Sequence, residues 1–190
     1  MKNIWGVDFG ARRSGNTVIA AAVDGSVVFY QVEKGADTDR WMEDLVEELK
    51  PELIAIDAPL SLPLGWCGGE GDLFYRECDE ELKAMSPLFL GGLTGRAVKF
   101  ARQLKSLKIK VIEAYPKGFV NHLLGGVHPQ FTREIQQILD LLPKGVTLEL
   151  EKKPTNDHQV DALMALVVAI RYEAGLANSF GKKEEGLIWV

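Results

Sequence analysis

The chain opens on a short apolar run, Ile4-Trp5-Gly6-Val7, closed by the carboxylate Asp8. A Gly-containing turn, Phe9 to Asn16, leads into Thr17-Val18-Ile19-Ala20-Ala21-Ala22, which is apolar and suits a strand. Asp24-Gly25 is a strong hairpin signal, and Ser26 to Val32 reads as the returning arm. The pattern therefore predicts three consecutive strands in an antiparallel meander. Met42, Leu45, Val46 and Leu49 then recur at helical spacing, with acids filling the other faces. This predicts a helix capped at Thr38 or Asp39 and stopped by Pro51. Leu53-Ile54-Ala55-Ile56 is a second buried-strand run, again closed by a carboxylate, Asp57. A strand reached through a crossover helix is most simply parallel to its neighbour.

The next stretch, 58–71, is a Pro- and Gly-rich loop, followed by a polar helix over 73–85 containing Arg76, Cys78 and Asp79. A loop over 86–92 leads to a helix over 93–107. Its apolar side is Ala97, Phe100, Ala101 and Leu104, and Arg96, Lys99, Arg102 and Lys105 form a drifting basic stripe. Ile109-Lys110-Val111-Ile112 is a further strand run ending in Glu113, and Pro116 breaks it. Helical segments are expected over 117–124 and 129–142, a loop over 143–154, and a last helix over 155–175 with one apolar face. Gly186 to Val190 reads as a terminal strand.

Composition narrows the class. A chain of 190 residues fits one domain spanning 1–190, with a helical insertion over 58–108 and a less regular helical segment over 117–154. No apolar run is long enough for a membrane span, and the N-terminus is too short in apolar length for a signal peptide. Two cysteines, Cys67 and Cys78, do not make a disulfide framework. A cytoplasmic protein is expected. The net charge of −5 argues against indiscriminate nucleic-acid binding, which runs on Lys and Arg, but it allows a local basic stripe.

Candidate chemistry lies in the acids. Three apolar runs each end in a carboxylate: Asp8, Asp57 and Glu113. Parallel strands of open sheets bind ligands beyond their carboxyl ends, and an unpaired buried charge is costly unless it serves something. The last helix begins with Asp157 and Asp161, one turn apart, where like charges repel. Asp157 alone is explained by the helix dipole. Together these acids suit Mg²⁺ or Mn²⁺, hard cations that take oxygen ligands.

The element order matches the ribonuclease H-like fold, an α/β architecture. It has a mixed five-stranded sheet, the first three strands antiparallel and the later ones parallel, flanked by helices. There the first and fourth strands are adjacent, so Asp8 and Asp57 lie side by side and the last helix brings Asp157 and Asp161 to the same point. Several motifs span nearly the whole chain: Gly6-Val7-Asp8, Ala55-Ile56-Asp57-Ala58-Pro59-Leu60, Arg76-Glu77-Cys78-Asp79, Leu93-Thr94-Gly95-Arg96-Ala97, Val111-Ile112-Glu113-Ala114-Tyr115-Pro116, Asp157-His158-Gln159-Val160-Asp161-Ala162 and Gly186-Leu187-Ile188-Trp189. In this order they resemble the predicted nucleases known as domain of unknown function 429. The last helix also resembles that of Holliday-junction resolvases. The resemblance implies a metal-dependent nuclease in which Asp8, Asp57 and Asp161 hold metal, with Asp157 and Glu113 as additions. The turn Arg12-Arg13-Ser14-Gly15-Asn16 does not align with that family, and 122–153 carries none of its motifs.

Arg76, Arg96, Arg12 and Arg13 are candidate phosphate contacts, since a guanidinium fork matches phosphate oxygens; for Arg76 and Arg96 a buried structural pair is the competing reading. Lys99, Arg102 and Lys105 read as a solvated face, Cys78 as a packed hydrophobe, and His158 as a cap or surface residue with a proton-shuttle or ligand role as the alternative. Three functions compete: a nucleic-acid phosphodiesterase, phosphoryl transfer of the actin-like kinase type, and a non-catalytic binding module. The sequence leaves oligomeric state open, a homodimer included.

Overall fold

In the computed structural model, which describes residues 2–130 and 134–190, all the described strands belong to one sheet. Its core is β1 (Ile4–Asp8), β2 (Val18–Val23), β3 (Ser26–Gln31), β4 (Leu53–Asp57) and β5 (Lys110–Ala114), in the order β3-β2-β1-β4-β5. The first three are antiparallel, and β4 and β5 run parallel to β1. Two-residue strands extend both edges: β6 (Glu149–Leu150) beside β3, then β8 (Ile188–Trp189) beside β5 with β7 (Ser179–Phe180) outermost. β6 falls inside the stretch read as loop, and β8 is the expected terminal strand.

Alternation assigns the two faces of the sheet. Trp5, Val7, Ile54 and Ile56 pack against α1 (Thr38–Leu49) and α4 (Gly92–Ser106). Ile4, Leu53, Ala55, Ile112 and Ala114 pack against α7 (Asp157–Glu173). α1 is capped by Asp37, whose side chain accepts from Asp39 N, rather than by Thr38 or Asp39, and it ends at Lys50 in the left-handed region.

Two helices differ instructively from the sequence pattern. The segment over 73–85 contains only α2 (Glu77–Leu82). Asp72 Oδ1 accepts from both Phe74 N and Tyr75 N, folding 72–75 into a side-chain-closed turn, and Lys83 at φ 52° ends the helix. Ser86 and Pro87 then start a short α3 (Pro87–Leu90) where a loop is expected. α7 is not amphipathic: Val160 and every residue from Ala162 to Ile170 are buried. The sheet covers one side, and α5 (Pro116–Leu123), α6 (Ile135–Leu139) and Leu148 cover the other. Within the helix expected over 129–142, residues 131–133 lie outside the described residues and α6 occupies part of the remainder.

α7 reaches β1 through Gly6. A Cβ there would lie 2.0 Å from Leu166 N and 2.3 Å from Ala162 O. The helix backbone rests on the strand backbone, and this contact sets the height of the first turns of α7 above the strand ends. Among the described residues, no helix is long and apolar enough to cross a membrane.

Candidate functional site

Asp8 and Asp57 are register partners at the carboxyl ends of adjacent parallel strands. Their parity puts both on the face covered by α7. Asp161, in the second turn of that helix, completes the acid set. Two cavities meet here, and both are lined by Asp57 and Tyr115. One, of about 270 Å³, also reaches Asp8, Phe9, Met85 and Leu93. The other, of about 370 Å³, reaches Lys117, Asn121, His128 and Asp161.

The acids feel one another. Burial, then the charge of Asp161, raises the Asp8 pKa from 3.8 to about 6, with His158 opposing. Asp57 is pushed well above the carboxylate range, by burial first and then by Asp8, Asp161 and Glu113. Asp161 is raised by burial, with His128 and His158 pulling the other way.

Two histidines lie against these acids. His158 Nδ1 lies 2.7 Å from Asp8 Oδ2, and His128 Nε2 lies 2.9 Å from Asp161 Oδ1. The cap of α7 is Asn156, which accepts from Gln159 N, and His158, still partly exposed, reaches Asp8 rather than capping the helix. His128 is missed by sequence reasoning. It stands in the motif-less stretch, and its only signal is a histidine between a Gly-Gly turn and a proline. Asp157 is exposed on the first turn; its charge raises Asp161, but it lines neither cavity.

Glu113 corrects the expectation of a third strand-end acid. It pairs in register with Ile56, one residue before the strand end, so it faces the opposite side of the sheet from Asp57. There Arg76 donates to both its oxygens at 2.7 Å and to both oxygens of Asp79 at 2.7 and 3.0 Å, and the Leu60 amide adds 2.8 Å. Arg76 is fully buried and also reaches Ser61 Oγ at 2.8 Å. Burial opposes its charge, but the Glu113 and Asp79 bonds outweigh it and raise its pKa. Glu113 and Arg76 therefore form a buried ion pair with Asp79, and all three also line the 270 Å³ cavity that reaches Asp8 and Asp57. The network ties the 58–71 loop and α2 to β5.

Arg96 and Arg12 are also engaged. Arg96 grips Asp39 at 2.6–3.1 Å, donates to Gly10 O at 3.0 Å and lies over the Phe9 ring. It braces the turn after Asp8. Arg12 pairs with Asp37 at 2.6 and 3.0 Å on the surface, and Arg13 is exposed on the same turn. Neither lines the two cavities. Cys78 is buried, its thiol pushed up to about 12 by burial first, as a packed hydrophobe requires.

The donor chemistry fits a divalent cation. Asp8, Asp57 and Asp161 offer hard oxygens whose mutual repulsion a cation would relieve. Among the described residues, no three His, Cys, Asp or Glu side chains are close enough together to hold a metal ion as they stand. Asp8 and Asp161 each direct an oxygen at a histidine instead.

No family model matches the chain, and no curated protein matches it by sequence. The family resemblance therefore rests on the motifs alone. The chain is similar to solved structures, two of RuvC among them. The Thermus thermophilus RuvC structure is 16% identical over 92% of this chain and 97% of that one, with a TM-score of 0.47. T. thermophilus RuvC in complex with Holliday junction substrate is 17% identical over 93% of this chain and 98% of that one, with a TM-score of 0.50. The second likeness and the strand order give the chain a ribonuclease H-like fold. At this identity the likeness speaks for the fold alone.

Proposed function

We propose that the protein is a metal-dependent phosphodiesterase acting on nucleic acid, and that it belongs with the predicted nucleases its motifs resemble. The observation that carries this reading is the pairing of Asp8 and Asp57 in register at adjacent strand ends, with Asp161 brought over them by α7. Three mutually repelling carboxylates on rigid elements have no structural use that a neutral side chain would not serve better.

Asp8, Asp57 and Asp161 would hold Mg²⁺ or Mn²⁺, which when bound supplies Lewis acidity and water activation for phosphodiester hydrolysis. His158 and His128 orient Asp8 and Asp161 by occupying one oxygen of each. Asp157 adds negative charge at the rim. Arg76, Glu113 and Asp79 hold the loop that walls the site. The similar RuvC structure in complex with Holliday junction substrate supports a nucleic acid as the substrate class. We read residues 1–190 as one ribonuclease H-like domain with a helical insertion over 58–108, and we keep a cytoplasmic location on the two unpaired cysteines. A homodimer remains part of the reading.

The test is cleavage of single-stranded, duplex and branched DNA and of RNA with Mn²⁺ or Mg²⁺, beside calorimetric titration of the metal. Wild type should bind the ion and cleave at least one of these. Asp8→Asn and Asp161→Asn should lose both properties while keeping the wild-type circular dichroism. Absence of ion binding at millimolar concentration would overturn the reading.

A further inference from the structure

Arg12, Arg76 and Arg96 are committed to acids and Arg13 lines neither cavity, yet an anionic substrate needs a cation beside the carboxylates. Among the described residues that line the two cavities meeting at Asp57, the basic chains are Arg76, His128 and Lys117. Arg76 is buried in its ion pairs and His128 lies on Asp161. Lys117 is exposed and makes no salt bridge among the described residues.

Lys117 is presented by a built element. It sits in the first turn of α5, and Asn121, one turn later on the same helix face, lines the same cavity. No side chain caps the N-terminus of α5, and Pro116 occupies its first turn. The positive end of the helix therefore opens beside Asp57, where it favours an anion. Gly118 fixes the orientation of the helix: a Cβ there would lie 2.8 Å from the Tyr115 ring and 2.9 Å from Val190 Cγ1. The first turn is thereby seated against the sheet edge, and Lys117 and Asn121 are held toward the cavity on a rigid support.

We infer that Lys117 and Asn121 form the phosphate-binding wall of the site, contacting a backbone phosphate of the substrate next to the one that faces Asp57 and Asp161. This rests on the nucleic-acid reading proposed above. Lys117 supplies the charge, Asn121 an amide donor to a phosphate oxygen, and the α5 N-terminus the supporting dipole. Both are substrate-positioning residues and need no proton transfer.

The experiment measures binding of a single-stranded oligonucleotide by fluorescence anisotropy across a salt series, with metal binding followed separately by calorimetry. Lys117→Gln should weaken oligonucleotide binding about tenfold at low salt and lower the slope of log K against log salt by about 0.7. Lys117→Arg should restore most of both. Asn121→Asp should weaken binding by placing a like charge at the phosphate, while metal affinity and the melting temperature stay at wild-type values in all three. Wild-type binding without cleavage, with these effects present, upholds the inference and overturns the nuclease reading. Cleavage by wild type with Lys117→Gln unchanged in slope and KM overturns the inference and leaves the nuclease reading standing. No binding by wild type overturns the inference.

Discussion

Gly6 and Leu166 meet backbone to backbone: the Cβ that Gly6 lacks would stand 2.0 Å from the Leu166 nitrogen. The strand carrying Asp8 and the helix carrying Asp161 are held together at this contact. Neither backbone can yield, since one is the central strand and the other is buried all round. Gly6→Ala is expected to cost several kcal/mol, about 4 or more, or to prevent folding. Soluble yield and thermal melting check this. A variant melting within a degree of wild type would mean that the helix is free to lift.

Asp57 is a charge kept at the expense of stability. Burial and three neighbouring carboxylates, Asp8, Asp161 and Glu113, oppose its ionisation. We expect Asp57→Asn to raise the melting temperature of metal-free protein, by about 2–4 °C for each kcal/mol relieved, while abolishing metal binding. The rise should be larger at alkaline than at acidic pH, because only the ionised wild type bears the cost. A lowered melting temperature at every pH would show that Asp57 has a stabilising partner.

Asp8 sets a pH dependence whose sign is fixed. Its pKa is raised from 3.8 to about 6 in the folded chain. Between those values the native state holds a proton that the unfolded chain has lost, so stability is greatest below the window and falls as pH rises through it. Above about pH 6 the shift costs on the order of 3 kcal/mol. Metal affinity should run oppositely, rising as pH climbs toward 6 and levelling above it, because cation and proton compete. Titrations of Mn²⁺ across this range, beside urea melts, check both slopes. Affinity that does not change with pH would remove Asp8 from the ligand set.

The Arg76 network is a structural clamp. Removing one partner leaves a buried charge unmatched, so Arg76→Gln and Glu113→Gln should each destabilise by about 3–5 kcal/mol. If the protein survives, metal affinity should change far less than in Asp8→Asn. A Glu113→Gln variant of wild-type stability that no longer binds metal would return Glu113 to the site.

Much of this was written in the chain. Apolar runs marked every long strand, and the periodicity of 42–49 marked α1. Acids closing the first and fourth strands pointed to the site, because ligands of open sheets bind beyond the carboxyl ends of parallel strands. Alternation within a strand is a local property and is legible locally. The register between strands is not, because it is set by hydrogen bonds to a neighbour distant in sequence. That one-residue offset separated Asp57, beside Asp8, from Glu113, which falls on the other face against Arg76. Tertiary structure likewise chose the partners of Arg96 and Arg12, brought His158 to Asp8 and His128 to Asp161, and left Lys117 facing the cavity. A residue type announces which charge it carries; only the packed fold decides whether that charge is spent on a neighbour or left for a ligand.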